Sequence, residues 1–263
     1  MLKSKHFYIR KAHRYLGVFL GLQFLLWTAS GIYFSWTDIN EIHGDLQHQH
    51  PRHLLAASNF VSPSIALNSI SQKIDSIHKI EVVNILQKPF YSIYYFIGDS
   101  LKAVLADAQT GKLRQPVSKE EAVKIAAESF AGQPALQTAE YITTVGDNDE
   151  YREKPLPAWK VSFTHQSNTN VYVSTETGKV ETFRNQKWRT YDLLWMFHTM
   201  GYGNRDNTNN SVLRIFSLLG IITVLSGFAL FIVSSKWFNK NKKVIDNNRL
   251  KAVPLKAKSK RTK

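Results

Sequence analysis

Residues Tyr15–Trp36 read YLGVFLGLQFLLWTASGIYFSW, a run of 22 residues with no acidic or basic side chain. At 1.5 Å per residue, a helix of this length is roughly 33 Å long, which is enough to cross the ~30 Å hydrocarbon core of a bilayer. A second apolar run, Val212–Ser235, contains one charged residue, Arg214, near its start. The sequence therefore predicts two transmembrane helices, 15–36 and 212–235.

The excess of basic residues lies at the two ends of the chain, before the first apolar run and after the second. The chain has 263 residues and a net charge of +14. Residues 1–36 carry five Lys or Arg and no acid, residues 37–211 are close to neutral, and residues 212–263 carry twelve Lys or Arg with Asp246 as their one acid. This distribution argues against a nucleic-acid-binding domain. By the positive-inside rule we expect both termini to be cytoplasmic and residues 37–211 to be extracytoplasmic.

The region between the spans repeats a pattern of one helix followed by strands. Ser62-Pro63 predicts the start of a helix that continues through residues 65–77, and Ser118 with Glu121 three positions later is a capping box that predicts another helix. Turns at Thr110-Gly111 and Thr177-Gly178 fall at corresponding places. Strand candidates follow each helix, at 80–87, 90–98 and 101–113 in the first repeat and at 139–145, 157–165 and 168–184 in the second. This pattern predicts an α+β domain of two repeats, each with one helix and about three antiparallel strands.

The second repeat carries the most specific pattern in the chain. Its helix begins SKEEAVKIA at Ser118–Ala126, and Trp159-Lys160-Val161 and the strand and turn VYVSTETGKV follow. These segments resemble a PepSY repeat. With a span before and after it, the chain is similar to short, two-span members of the PepSY-associated transmembrane family. The resemblance implies an extracytoplasmic domain of two PepSY-like repeats, anchored in a bacterial inner membrane.

These boundaries and the resemblance divide the chain into eight predicted segments. They are a cytoplasmic basic N-terminus 1–14, transmembrane helix 15–36, a polar His-rich juxtamembrane segment 37–61, PepSY-like repeat 62–117, PepSY-like repeat 118–186, an interfacial aromatic helix and linker 187–211, transmembrane helix 212–235 and a cytoplasmic basic tail 236–263.

Both predicted spans carry small residues at helical spacing. Gly17, Gly21 and Gly31 share one face of the first span, and Gly220 and Gly227 fall on one stripe of the second. Small residues let helices approach closely in a membrane, so these faces predict helix packing, including a homodimer through them.

Two histidines close to the spans are candidate haem ligands. Imidazole is a common axial ligand of haem iron, and histidine at membrane depth is rare. His13 precedes Gly17 on the small face, and His198 lies in the aromatic helix one turn after Trp195. Larger relatives of the family resemble siderophore-linked reductases that hold haem between histidines. Because roughly 27 Å of helix separates His13 from Gly31, one haem b cannot bridge His13 and His198 of one chain, so ligation by two histidines requires a dimer.

Four further histidines form a cluster in the juxtamembrane segment. His43, His48, His50 and His53 lie within eleven residues and could offer imidazoles to Zn²⁺ or Cu²⁺. Pro51 interrupts any helix that would align their rings, and no cysteine is present in the chain. A solvated polar segment is the alternative interpretation.

No catalytic residue is predicted, because the sequence has no HExxH, Walker, dinucleotide-binding or GxSxG motif. Three hypotheses about function remain. The first is a membrane-anchored PepSY module with a binding or regulatory role, whose partner is an envelope protein or peptidase. The second is a haem-dependent membrane reductase that transfers electrons to iron, and the third is an envelope metal-binding protein.

Overall fold

The computed structural model describes residues 5–49, 59–132 and 134–235. The helices are α1 Lys5–Trp36, α2 Ile39–His43, α3 Pro63–Asn68, α4 Lys119–Glu128, α5 Gln186–Thr199 and α6 Ser211–Ser234, and the strands are β1 Ser76–Ile85, β2 Lys88–Ile97, β3 Ser100–Asp107, β4 Ala135–Ile142, β5 Ala158–Thr164, β6 Asn170–Ser174 and β7 Val180–Arg184. These elements form two compact units. One contains residues 30–207, and the other contains the described residues before 30 and after 207.

Two helices are long and apolar enough to cross a membrane, over Phe7–Trp36 and Ser211–Ser234. Only 17% and 11% of their most apolar windows are buried within the chain, unlike the core helix of a soluble protein. The first helix begins earlier than the predicted span, at Lys5, because residues 5–14 contain no glycine or proline to stop it. Two apolar helices around an α+β region agree with the predicted membrane protein.

Within the helical unit, α1 and α6 pack through bulky side chains of α1 and small residues of α6. A Cβ at Gly220 would lie 3.4 Å from the Phe24 ring, and one at Gly227 would lie 3.3 Å from the His13 ring. The predicted stripe on α6 is therefore a contact face. The glycines of the predicted small face of α1 do not take part in it, because Gly17 and Gly21 have nothing within 4 Å of an added Cβ.

The first sheet has the antiparallel order β1-β2-β3. All three strands were predicted, although β1 begins earlier, at Ser76. The helix before them is shorter than the sequence indicated. Ser62 caps α3 as expected, but the helix ends at Asn68 rather than continuing to Ile77. Ile77 pairs instead with Tyr95 of β2, so the last residues of the predicted helix belong to strand β1.

The second sheet has the antiparallel order β4-β5-β6-β7. The capping box before α4 is present, with Ser118 accepting from the Glu121 amide and the Glu121 side chain accepting from the Ser118 amide. This half has four strands rather than about three, because the predicted strand 168–184 is a hairpin of β6 and β7. The turn places Gly178 at φ +64°.

A common core joins the two sheets. Ile85, Phe90 and Leu105 of the first sheet are buried together with residues of α4, β5, β6 and β7. Gly178 is part of this contact, since a Cβ there would lie 2.6 Å from Ile85 Cδ1. The predicted boundary at residues 117 and 118 therefore falls inside one compact unit.

The two halves also make corresponding hydrogen bonds at corresponding places. Gly111 donates its amide hydrogen to the Asp107 carbonyl in the turn after β3. Gly178 donates its amide hydrogen to the Ser174 carbonyl in the turn after β6. An aromatic side chain in each half donates to the carbonyl just before the helix N-cap. Tyr91 binds the Val61 carbonyl at 2.6 Å, and the Trp159 indole binds the Val117 carbonyl at 2.9 Å.

A short helix that the sequence did not predict lies in the polar segment 37–61. Asp38 caps α2 at its start, and Gly44, at φ +82°, ends it. The Glu41 carbonyl accepts a hydrogen bond from the Asn185 side chain at 2.7 Å, and the Glu41 carboxylate pairs with Lys187. These contacts attach α2 to the start of α5.

Candidate functional site

His13 lies in the contact between α1 and α6. Its Nδ1 is 2.7 Å from Ser226 Oγ, and the Cε1 edge of its ring lies against Gly227. Ser226 Oγ also donates to the Thr223 carbonyl at 2.8 Å. A hydroxyl has one proton, so when Ser226 donates it to the Thr223 carbonyl, Ser226 accepts from His13 Nδ1. In that arrangement a neutral His13 carries its proton on Nδ1, and its Nε2 holds a lone pair that can accept a hydrogen bond or ligate a metal.

His198 occupies a different environment, at the end of α1. Its Nδ1 is 2.8 Å from Ser30 Oγ. The ring stacks on Trp195 at 6.4 Å and meets the Phe34 ring edge-on at 5.6 Å. This face of α5 therefore packs against the end of α1. His13 and His198 belong to separate units.

Only part of the predicted metal cluster lies within the described residues. His43 is exposed at the end of α2, and His48 packs on Phe183 with ring centroids 4.7 Å apart. His50 and His53 lie outside the described residues. Among the residues that the structure describes, no group of three or more metal-ligating side chains is present. Metal binding by these four histidines remains a prediction.

A buried charged cluster that the sequence analysis missed surrounds Glu150. Its carboxylate accepts hydrogen bonds from Arg189 Nε at 2.8 Å, from the Tyr172 hydroxyl at 2.6 Å and from the Asn170 amide. Burial alone would raise the pKa of Glu150, but these hydrogen bonds outweigh it and hold the pKa below its ordinary value. Burial, the hydrogen bond to Glu150 and its charge raise the pKa of Tyr172. The cluster fixes α5 to β6.

A second charged cluster lies further along α5. Asp192, only 3% exposed, pairs with Arg152 at 2.8 Å and with Arg205. Arg152 also binds Asp206 at 2.6 Å. Sequence reasoning missed both clusters because their members are far apart in the chain and match no motif. The one available signal was Asp192, the one acid of α5, which stands between Tyr191 and Leu193.

The strand order decides which strands can accept another chain. β4 has one neighbour in its sheet, β5, and is therefore an edge strand. Most of its side chains are exposed, including Leu136 at 48% and Tyr141. The aromatic segment 93–98 does not offer such an edge. It lies mainly in β2, the central strand of its sheet, so its backbone is already paired on both sides.

Comparison with known families matches residues 116–183 to PepSY, described as "Peptidase propeptide and YPEB domain". The match covers α4 and β4–β7, which is the second predicted repeat. No match covers the first repeat. Neither the curated proteins nor the solved structures contain a match to the chain.

Proposed function

Because the chain contains a PepSY domain at residues 116–183 together with two helices able to cross a membrane, we propose that it is a membrane-anchored extracytoplasmic binding module. Its role is to bind or regulate an envelope protein, for which a peptidase is the candidate that the family description suggests. The observation that carries this proposal is the exposed edge strand β4 within the matched residues.

An edge strand presents unpaired backbone donors and acceptors, and an extended peptide can add to it as a further strand. β4 fits this mode because one of its sides is paired with β5 and Leu136 and Tyr141 are exposed on it. Such side chains supply the specificity when backbone hydrogen bonds supply the affinity. The partner is therefore a protein with an extended segment that carries apolar side chains.

The first half of the domain is part of the same proposal, as a second PepSY-like repeat. Support comes from the corresponding turn hydrogen bonds at Gly111 and Gly178 and from the matching bonds of Tyr91 and Trp159 to the carbonyls before the two helix caps. Its sheet lacks a counterpart of one of the four strands in the second half.

The proposed location is a bacterial inner membrane with both termini cytoplasmic and residues 37–211 outside. The support is the charge distribution, which places basic residues before the first span and after the second. The bilayer itself is then the first partner of the protein. A homodimer through the open glycine face of α1 remains a proposal of the same kind.

The absence of cysteine from the sequence allows a direct test of the β4 edge. Leu136→Cys is labelled with a photoactivatable crosslinker in intact cells, and the products are identified by mass spectrometry. The control is Leu101→Cys in β3, since Leu101 is also an exposed leucine on a strand, at 51% compared with 48%. We expect a defined envelope protein to crosslink at position 136 and not at position 101.

A crosslink that forms equally at both positions, or none at position 136, contradicts binding at β4. If the partner is a peptidase, its activity measured with and without the full chain decides whether the role is regulatory. If the peptidase activity is unchanged, the role is binding without regulation.

Haem binding is the second candidate, and the observation that favours it is the hydrogen bond of His13 Nδ1 to Ser226, which leaves Nε2 as the nitrogen able to ligate iron. His13 and His198 would each supply one axial ligand, and a second copy of the chain would supply the other. A bound haem b would provide one-electron transfer for iron reduction.

The test is a reduced-minus-oxidised spectrum of the full chain, purified in detergent after expression with haem available. Haem ligation at these sites predicts b-type bands that weaken in His13→Ala and His198→Ala and persist in the control His78→Ala. Bands that are absent, or unchanged in the first two variants, exclude it.

A further inference from the structure

A cavity of about 310 Å³ lies between α5 and the loops on either side of it. Its lining combines cationic side chains, Arg152, Lys154 and Arg184, with the aromatic rings of Trp188, Tyr191 and Trp195. Neither the PepSY match nor the proposed binding edge accounts for this combination, because β4 does not line the cavity.

The buried acid in the cavity is already neutralised. Asp192 is held by Arg152 and Arg205, and Asp206 is held by Arg152. The remaining carboxylate of the lining belongs to Glu153, which is exposed and has a backbone φ of +57°. It is therefore solvated.

Arg184 has a charge that no carboxylate in the described part of the chain neutralises through an ion pair. Its Nε donates to the Glu150 carbonyl at 2.8 Å and its Nη1 donates to the Phe183 carbonyl at 3.2 Å. The guanidinium also lies 4.2 Å from the centre of the Trp188 ring. Burial, and then the charge of Arg152, lower the pKa of Arg184, as expected for a guanidinium whose charge is poorly compensated.

Lys154 is the second cation of the cavity without an ion pair among the described residues. Burial raises the pKa of Glu181, and the nearby charge of Lys154 opposes that rise. Arg184 and Lys154 therefore bring two positive charges to a partly enclosed space with an indole wall. Guanidinium groups favour phosphate oxygens, which accept two parallel hydrogen bonds from them.

The cavity shares two lining residues with the contact at the end of the first apolar helix, α1. Tyr191 and Trp195 line the cavity and also contact Phe34 of α1, with ring centroids 4.7 Å and 6.1 Å apart. Phe34 lies two residues before α1 ends at Trp36. Aromatic side chains at the end of a span mark the level of the lipid head groups.

We propose that this cavity binds the phosphate of an anionic phospholipid head group, with Arg184 and Lys154 contacting the phosphate oxygens and Trp188 packing beside them. Inorganic phosphate offers the same chemistry from solution. The proposal is independent of any partner at β4 and of haem.

The test uses the full chain in detergent and native mass spectrometry with three probes. Phosphatidylglycerol carries the phosphate, diacylglycerol is the matched lipid without it, and inorganic phosphate is the soluble competitor. We expect phosphatidylglycerol to be retained and diacylglycerol to be lost. Arg184→Gln should reduce retention by about tenfold, and Lys154→Gln should reduce it by about fivefold.

The control is Lys160→Gln. It removes a positive charge of β5 that is paired with Glu140 of β4 and does not line the cavity, so it should leave retention unchanged. If Arg184→Gln fails to fold, Lys154→Gln decides, because Lys154 makes no ion pair with any residue that the structure describes. Equal retention of the two lipids, or normal retention in the variants, overturns the proposal. Displacement by inorganic phosphate supports the site and identifies its ligand as soluble phosphate.

Discussion

Ser226 Oγ lies 2.7 Å from His13 Nδ1 and also contacts the Thr223 carbonyl, as a donor, at 2.8 Å. Because the hydroxyl has one proton, this relationship favours the tautomer of His13 that is protonated on Nδ1. It also gives the role of Gly227, whose missing side chain leaves room for the imidazole edge. The proposed haem ligation by His13 would use Nε2, the nitrogen that Ser226 does not contact.

The first prediction concerns that tautomer. In the full chain labelled with ¹⁵N-histidine, we expect His13 to show a protonated Nδ1 and an unprotonated Nε2. Ser226→Ala removes the acceptor and should shift the population toward the Nε2-protonated form. The assignment comes from the resonance that disappears in His13→Ala. A wild-type spectrum with the proton on Nε2 would mean that Ser226 donates instead.

The second prediction concerns the cluster around Glu150. Glu150→Gln removes the charge that Arg189 and the Tyr172 hydroxyl bind, and leaves the partly buried Arg189 unpaired. We expect the free energy of unfolding to fall by about 2 kcal/mol, measured by denaturation of the full chain in detergent. The exposed pair of Lys160 and Glu140 is the control, and Glu140→Gln should cost less than about 0.5 kcal/mol. Equal losses would mean that the cluster adds no stability.

The third prediction is the pH dependence that the same carboxylate gives. Because the pKa of Glu150 is lower in the folded protein, the unfolded chain binds more protons between the folded pKa and the ordinary value of 4.5. The stabilisation is present above pH 4.5 and is lost as the pH falls through the folded pKa. In Glu150→Gln the dependence of the unfolding free energy on pH should be shallower in this range. Tyr172→Phe, which removes one of the hydrogen bonds, should be intermediate.

The fourth prediction compares two glycines at positive φ. Gly178→Ala adds a methyl group 2.6 Å from Ile85 and also strains a backbone at φ +64°. Gly98→Ala has the strain alone, since nothing lies within 4 Å of its added Cβ at φ +57°. We expect losses of about 3 kcal/mol for Gly178→Ala and about 1 kcal/mol for Gly98→Ala. Similar losses would contradict the close contact between the hairpin and the first sheet.

The fifth prediction tests the correspondence of the two halves. Tyr91→Phe removes the hydrogen bond to the Val61 carbonyl, and Trp159→Phe removes the one to the Val117 carbonyl. Each should lower the free energy of unfolding by about 1 kcal/mol for the lost hydrogen bond, and Trp159→Phe should cost somewhat more because the ring is smaller. Tyr141→Phe on the exposed edge strand is the control and should be neutral. A negligible effect at one position would show that the two bonds do not have the same role.

Several features followed from the sequence because their causes are local. The apolar run from Tyr15 to Trp36 is long enough for a span by itself. Ser118 and Glu121 form the capping box of α4 within four consecutive residues. Strands β1–β3 follow from β-branched and aromatic runs separated by turns. The helix predicted beyond Asn68 was wrong, because Ile77 gains more from pairing with Tyr95 across the sheet than a short helix offers.

The sequence alone determined the two apolar helices, the α+β class and the PepSY half, since length, charge and short-range patterns are written in consecutive residues. The tertiary structure decided what His13, Glu150 and Arg184 can do. Ser226 contacts His13 from 213 positions away, and Glu150 meets Arg189 39 positions later. Arg184 acquires its cavity only when Trp188 and the other lining residues of α5 lie beside it. Hydrogen bonds, burial and charge act through distance in space, which the order of residues does not contain.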